Sequence, residues 1–474
     1  MKRMILLAAA LVACCPVFAQ SRQPSARGGI DARTLLELRD SYEGNASDKA
    51  LRNALATTSI ATLAVNAENA AMIDTHFSDK VTTKGITDQK SSGRCWLFTG
   101  LNVLRAKMID KYALPDFQFS QNYVFFWDQL EKANLFLQSV IDTRDKAFDD
   151  REVDWLFSNP IGDGGQFTGI SNLVTKYGLV PAEAMPETYC SNNTSQMSSL
   201  LKLKLREDGL RLREMNEGAS SREKNSIEAR LINEKVSMLK EIYHFLTVCL
   251  GVPPKEFEWT RCNVKGEIVS TEKYTPKSFY DTFVGADLED NYVMIMNDPC
   301  REYGKVYEIE YDRHVYDGQN WVYVNLPVER IKEIAIASIR DNTALYFSCD
   351  VAKFLDRSKG TLDLNNFDYE SLSGFSFGMD KKERVMTHAS GSSHAMTLVA
   401  VDVQRGKPVK WMVENSWGAN SGYKGHLIMT DQWFDEYMFR LVAEKKYVPS
   451  DVLQMLRQEP VKLPAWDPMF LPEE

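Results

Sequence analysis

SSGRCWLFTG, residues 91–100, decides how the rest of the chain is read. Two serines and a glycine run into Cys95-Trp96 and then into an apolar stretch. Leu97, Leu101, Leu104 and Met108 step by four, three and four, which sets them on one face of a helix. Ser91 or Ser92 suits the N-cap of that helix. Arg105 and Lys107 fall towards its end, where cations suit the dipole. Cys95 then lies in the first turn of a buried helix, where positive potential and free N–H groups lower a thiol pKa and favour the nucleophilic thiolate. A lone helical cysteine is more often a small buried hydrophobe, so Cys95 needs companions before it reads as a nucleophile.

Working outward, Gln89 lies six residues upstream, where its amide can reach the helix start. With the Cys95 N–H it would supply two donors for a developing oxyanion. A base must come from six histidines: His76, His244, His314, His388, His394 and His426. His394 opens a predicted strand after the turn ASGSS, and Asn415 lies in VENSWG on the next predicted strand. An Asn carbonyl accepting the ring N–H fixes the tautomer and turns the other nitrogen to the thiol. Trp417 would shelter that bond from water. His388, in a polar turn, is the rival to His394, and His426 in a strand reads as ordinary packing.

Residues 20–32 are polar and contain Gly and Pro, which suggests a mobile leader, and Ala46–Ile73 has helical spacing. Residues 119–140 predict a helix capped by Ser120, and Asp163-Gly164-Gly165-Gln166 predicts a turn or open edge. From about Ser195 to Leu250 the chain is charged and helical, and NEGASS divides it into two helices. The texture then becomes β: residues 305–312, 343–351, 394–403, 409–417 and 425–430 predict strands, the last three as an antiparallel meander. Helices first and strands later make an α+β protein of two layers with a cleft between them.

The chain has 474 residues and a formal net charge of −9, so it offers no overall basic footprint for nucleic acid or anionic lipid. Lys2-Arg3, an apolar run and Val17-Phe18-Ala19 have the layout of a secretory signal peptide cleaved after Ala19. Leu11-Val12-Ala13-Cys14 also resembles a lipobox, with a lipid anchor at Cys14 as the alternative. Either reading places the mature chain outside the cytoplasm, periplasmic or secreted, with no later transmembrane segment. The other six cysteines form no CxxC pair, so metal-ligand spacing is absent. Spacing leaves the disulfide state of Cys190, Cys249, Cys262, Cys300 and Cys349 open.

QKSSGRCW, GSSHAM and ENSWG place Gln, Cys, His and Asn in the order of the papain-like cysteine peptidases. KGITDQKSSGRCWLFTGLNVLR, DGGQF, KYGLVP, PETY, MTDQWFDEY and LPAWDPM narrow the match. From about Leu51 to Met469 the chain resembles the bleomycin hydrolase (aminopeptidase C) branch of that family. The resemblance implies Cys95 as nucleophile, His394 as general base and acid, Asn415 as its orienter and Gln89 as oxyanion donor. It also implies Gly164 and Gly165 as an edge along which substrate backbone passes. The implied fold is a helical half with the nucleophile, a β-barrel half with His and Asn, and a helical insertion. The corresponding division is 1–19 signal peptide, 20–45 leader, 46–194 helical half, 195–255 inserted arm, 256–440 β-rich half and 441–474 C-terminal arm.

That resemblance further implies peptide substrates, no metal or organic cofactor, and a homohexamer with its sites facing an inner chamber. In the family the C-terminal arm enters the site and its carboxylate selects a free amino terminus. Here LPAWDPM is followed by FLPEE, so Glu473, Glu474 or the terminal carboxylate would pair with a substrate ammonium. The expected activity is an exported thiol aminopeptidase on short peptides. The altered tail leaves dipeptidyl or oligopeptide endopeptidase cleavage as the alternative, and a Cys-His-Asn acyltransferase or amidase and a non-catalytic peptide-binding scaffold complete the readings.

Overall fold

The structure, a computed structural model, describes residues 28–69, 74–219 and 226–470. The signal region with Cys14 and Ala19, and Glu473 and Glu474, lie outside the described residues. The chain divides at Leu63/Ala64 into two units. In the first, α1 (Ala32–Asp40) starts at Asp31, whose carboxylate accepts from the Thr34 N–H. Within the expected leader of residues 20–45, the Asp31 cap and the helix-favouring run ARTLLELRD make residues 32–40 helical. α2 (Ala46–Leu55) carries an Asn45/Asp48 capping box. The helical run expected to Ile73 breaks at Thr57-Thr58-Ser59, and Ser59 then caps the short helix Ile60–Leu63 through the Thr62 N–H.

In the second unit, α3 (Cys95–Tyr112) carries the thiol at its first position. α4 (Gln121–Asp142) starts at Ser120, whose hydroxyl accepts from the Tyr123 N–H at 3.0 Å, as expected. α5 (Phe167–Tyr177) follows the glycine edge, and α6 (Ser195–Glu217) and α7 (Ile227–Leu250) form the charged helical pair. α3 is buried on every side from Cys95 to Ala106 because helices pack on one flank and a sheet on the other. Two expectations fail on it. Its N-cap is Arg94, not Ser91 or Ser92, and no side chain caps it. The Ser92 hydroxyl instead donates to the Gln89 carbonyl at 2.6 Å and accepts from Arg94 Nε at 2.9 Å. Arg105 is not an end cation either: it is buried and pairs with Glu414 at 2.7 Å, leaving Lys111 in the last turn.

The strands are β1 (Phe257–Cys262) and β2 (Ile268–Tyr274), a separate hairpin, followed by the members of one large sheet. Apart from three two-residue strands, Asp79–Lys80, Leu355–Asp356 and Thr361–Leu362, these are β3 (Tyr292–Met296), β4 (Val306–Ile309), β5 (Val322–Asn325), β6 (Leu345–Cys349), β7 (His394–Gln404), β8 (Lys407–Glu414), β9 (His426–Thr430), β10 (Met438–Glu444) and β11 (Val461–Leu463). They neighbour one another in the order β11-β4-β5-β3-β10-β6-β7-β8-β9. β7-β8-β9 is the expected antiparallel meander. The sheet does not stop at residue 440: β10 runs to Glu444, and β11 in the C-terminal arm pairs with β4.

Alternation along the strands separates two cores. Tyr346 and Ala395 join the helical core that contains Cys95, while Leu345, Phe347 and Met396 turn to a second core. That second core includes Ile331 and Ile334 of the helix Val328–Arg340. The sheet is thus a shared wall, and the start of β7 meets the start of α3.

Candidate active site

Cys95, His394, Asn415 and Gln89 are 0%, 2%, 2% and 5% exposed, so four polar groups converge in a nearly dry site. α3 brings Cys95 to the start of β7, where the Ala395 N–H points at the Cys95 sulfur at 3.5 Å. His394 opens β7 and pairs in register with Cys349 of β6. Its Nε2 lies 2.9 Å from Asn415 Oδ1. The same Asn415 oxygen accepts the Ser416 N–H at 2.8 Å, which identifies it as the oxygen rather than the amide nitrogen. His394 Nε2 therefore carries the proton, and Nδ1 is left as the basic nitrogen. Trp417 lies over this imidazole with ring centres 4.9 Å apart, and the Arg357 guanidinium covers Trp417 at 4.7 Å.

Gln89 is pinned by the loop that carries Asn415. Its N–H donates to the Ser416 carbonyl at 2.8 Å, and its Oε1 accepts from the Ser416 hydroxyl at 2.6 Å. Its Nε2 donates to the Ser92 carbonyl at 2.7 Å. With the amide oxygen fixed, Nε2 retains a second proton. Asp88 and Trp417 form a bridge beside it. The two segments that hold the oxyanion-donor candidate and the imidazole orienter are therefore one hydrogen-bonded unit.

Gly164 and Gly165 form an edge next to Trp96, the residue after the thiol. The Trp96 indole donates to the Asp163 carbonyl at 2.8 Å. A Cβ on Gly165 would come within 2.2 Å of His314 Cε1 and 2.8 Å of Trp96 Cδ2. Beneath lies a cluster that sequence reasoning missed. His314 Nδ1 is 2.5 Å from Asp128 Oδ1, and Lys132 donates to Asp128 at 2.9 Å and to the Gly164 carbonyl at 2.6 Å. Burial, and then Lys132, push the His314 imidazole below its ordinary range despite Asp128. Burial works to raise the Asp128 carboxyl, but Lys132 and then His314 hold it below its ordinary range. The cluster is thus an ammonium–carboxylate pair with a neutral imidazole.

A cavity of about 220 Å³ adjoins this edge, lined by Gly164, Gly165, Ile161, Trp155, Arg313 and Phe470 among others. Phe470 reaches it because Arg440 donates to the Met469 carbonyl at 2.6 Å and Arg301 pairs with Asp467. Glu474 lies outside the described residues. His388 stands in the left-handed region at φ 58° in an exposed turn, while His426 Nδ1–H donates to the Lys424 carbonyl at 3.0 Å. Among the described residues, no group of three or more His, Cys, Asp or Glu side chains is arranged to hold a metal ion. No described helix is long and apolar enough to cross a membrane.

A buried thiol at a helix start, set against a sheet that presents a histidine and an asparagine, defines the papain-like α+β class, and the chain is a cysteine peptidase. More closely, it belongs to the Peptidase C1-like family, whose model matches residues 29–470. It is similar to bleomycin hydrolase of Rattus norvegicus, with 41% identity over 397 residues, 81% of this chain and 86% of that protein. It is also similar to aminopeptidase C of Lactobacillus delbrueckii subsp. lactis, with 37% identity over 423 residues, 88% of this chain and 92% of that protein. The crystal structure of pepW from Lactobacillus rhamnosis HN001 matches with a TM-score of 0.89 and 34% identity, over 94% of this chain and all of that one.

Proposed function

We propose that this chain is an exported thiol aminopeptidase that hydrolyses short peptides by a Cys-His-Asn mechanism. The observation that carries the reading is the bond from His394 Nε2 to Asn415 Oδ1, which leaves a basic Nδ1 in the pocket of Cys95. His394 takes the Cys95 proton, and the thiolate attacks the peptide carbonyl carbon. The Gln89 Nε2–H and the Cys95 N–H at the start of α3 hold the oxyanion. His394 gives the proton to the leaving amine, then activates the water that cleaves the thioester. Asn415 keeps the tautomer, and Trp417 keeps water from that hydrogen bond. No metal or organic cofactor has a role in these steps.

Selection of a free amino terminus is supported by the names of the relatives and by the tail, whose Phe470 lines the cavity beside Gly164 and Gly165. Export is supported by Lys2-Arg3, the apolar run and Val17-Phe18-Ala19, with lipidation at Cys14 the other form it takes. A homohexamer is in keeping with exposed Leu203 and Val248 on α6 and α7, and the net charge of −9 disfavours nucleic acid. One assay tests the activity: a short fluorogenic peptide with a free amino terminus and the same peptide N-blocked, under reducing conditions, with Cys95→Ala as control. Cleavage of the free form alone, lost in Cys95→Ala, is the expected result. Equal cleavage of both makes the enzyme an endopeptidase, and no Cys95-dependent cleavage of either removes the catalytic reading.

A further inference from the structure

Two other cysteines meet where the helical arm returns to the body of the protein. Cys190 lies in the short helix Tyr189–Asn192, and Cys249 is the penultimate residue of α7. The Thr188 hydroxyl donates to the Cys249 carbonyl at 2.9 Å. One side chain, Asn122, joins both segments by donating to the Pro186 carbonyl at 2.8 Å and the Leu250 carbonyl at 2.7 Å. Both thiols are half-buried and pack against the same core, and the Cys190 thiol is near enough to act on that of Cys249.

From this juxtaposition we infer that Cys190 and Cys249 are a disulfide-forming pair that locks the end of the helical arm to the segment supporting the catalytic loop. That segment is itself tied to the loop. The Ser91 N–H donates to the Asn192 carbonyl at 3.0 Å, the Thr194 N–H donates to the Ser91 carbonyl at 3.3 Å, and Glu187 takes the Arg94 guanidinium through two bonds. A bond between residues 190 and 249 also closes the whole of α6 and α7 into one covalent loop, which restricts the unfolded chain. It does not depend on the aminopeptidase reading.

The oxidant is a disulfide, R–S–S–R, small or carried by an oxidoreductase. Burial, and then the Cys190 thiol, push the Cys249 thiol up to about 11, which disfavours Cys249 as the first thiolate. The Cys190 thiolate attacks one sulfur of R–S–S–R, and R–S⁻ leaves with the electron pair. Cys249, losing its proton to solvent, then attacks the Cys190 sulfur of the mixed disulfide and expels the second R–S⁻. Two thiols are oxidised by two electrons, R–S–S–R is reduced to two R–SH, and the protons balance.

The test uses the full mature chain carrying Cys95→Ala, so that the reactive thiol does not consume oxidant. It is equilibrated in mixtures of oxidised and reduced glutathione, trapped by alkylation, digested without reductant and mapped by mass. The expected result is one cross-linked peptide pair joining Cys190 and Cys249, two hydrogens lighter than the reduced pair. Tm should rise with oxidation and return with reductant, and both changes should vanish in Cys190→Ser and in Cys249→Ala. Persistent alkylation of both thiols in the oxidised mixture overturns the inference. So does a glutathione adduct at Cys190 that Cys249 never resolves, or a cross-link that leaves Tm unchanged. Because the readouts are mass and Tm in an inactive variant, their failure is separate from any failure of peptide cleavage.

Discussion

His394 and His314 are two buried imidazoles built alike and set to opposite work. Each has an oxygen on one ring nitrogen and a tryptophan alongside: Asn415 and Trp417 for His394, Asp128 and Trp96 for His314. The difference is in the acceptor and in what the rest of the ring meets. Asn415 is neutral, so it fixes the His394 tautomer without adding charge. Asp128 is charged but is already matched by Lys132. The remainder of the His314 ring presses on Gly165 and Gly169, where a Cβ would come within 2.2 and 2.5 Å of Cε1. One histidine is oriented by a neutral amide; the other is a plug that supports the glycine edge.

The largest effect expected from this contrast is at His394. His394→Ala should lower kcat/KM by about 10²–10⁴, the range for removal of a positioned general base, with Tm nearly unchanged. His314→Gln should leave kcat within a few-fold and act on stability instead. Steady-state kinetics and thermal melts of both variants check this together; a kcat loss in His314→Gln equal to that in His394→Ala would break the distinction.

Asp128→Ala comes next. It strands the Lys132 ammonium in a nearly dry site, and loss of one partner of a buried pair costs about 3–5 kcal/mol. Chemical denaturation should show that loss, whereas a deficit under 1 kcal/mol would mean that Lys132 swings out to water. Gly165→Ala is smaller, about 1–3 kcal/mol, because the new methyl must displace His314 and Trp96 from a packed core. Since Trp96 adjoins Cys95, this variant should also raise KM for the short peptide.

The two histidines also mark how far the sequence could be read. α3, the Ser120 cap of α4, the α6–α7 pair and the β7-β8-β9 meander were legible because periodicity and turn chemistry are local. The motifs QKSSGRCW, GSSHAM and ENSWG pointed to Cys95, His394, Asn415 and Gln89, and the fold brings those four residues to one place. The His314 cluster was not, because Asp128 and His314 are 186 residues apart and neither stands in a signature. The one available hint was Asp128 and Lys132 at i,i+4 on a helix. Arg105 was misread for the same reason: dipole logic is local, while Glu414, 309 residues away, sets its position. Ser91 and Ser92 fit N-cap statistics, but the Ser92 hydroxyl is taken by the Gln89 carbonyl and Arg94 Nε, contacts that cap statistics do not see.

The smallest effect sharpens the contrast through pH. Burial, followed by Lys132, depresses the His314 pKa in the folded state. The unfolded imidazole titrates near its ordinary value of about 6.5. Between that value and the lower folded one, the unfolded chain binds more protons than the folded one. Stability therefore rises with pH across this window and falls as pH drops below about 6.5, by at most about 1.4 kcal/mol per pH unit for one group. Asp128, depressed in the fold, adds its own loss only further down, as pH falls from about 4 through its folded value. His426 is also depressed, chiefly by burial, so it contributes to the upper window as well. Denaturation between pH 7 and pH 5 should thus show a positive slope of stability with pH that is reduced, not abolished, in His314→Gln. An unchanged slope would mean that His314 is protonated within the fold, and the neutral plug beside the glycine edge would have to be redrawn as a charged triad.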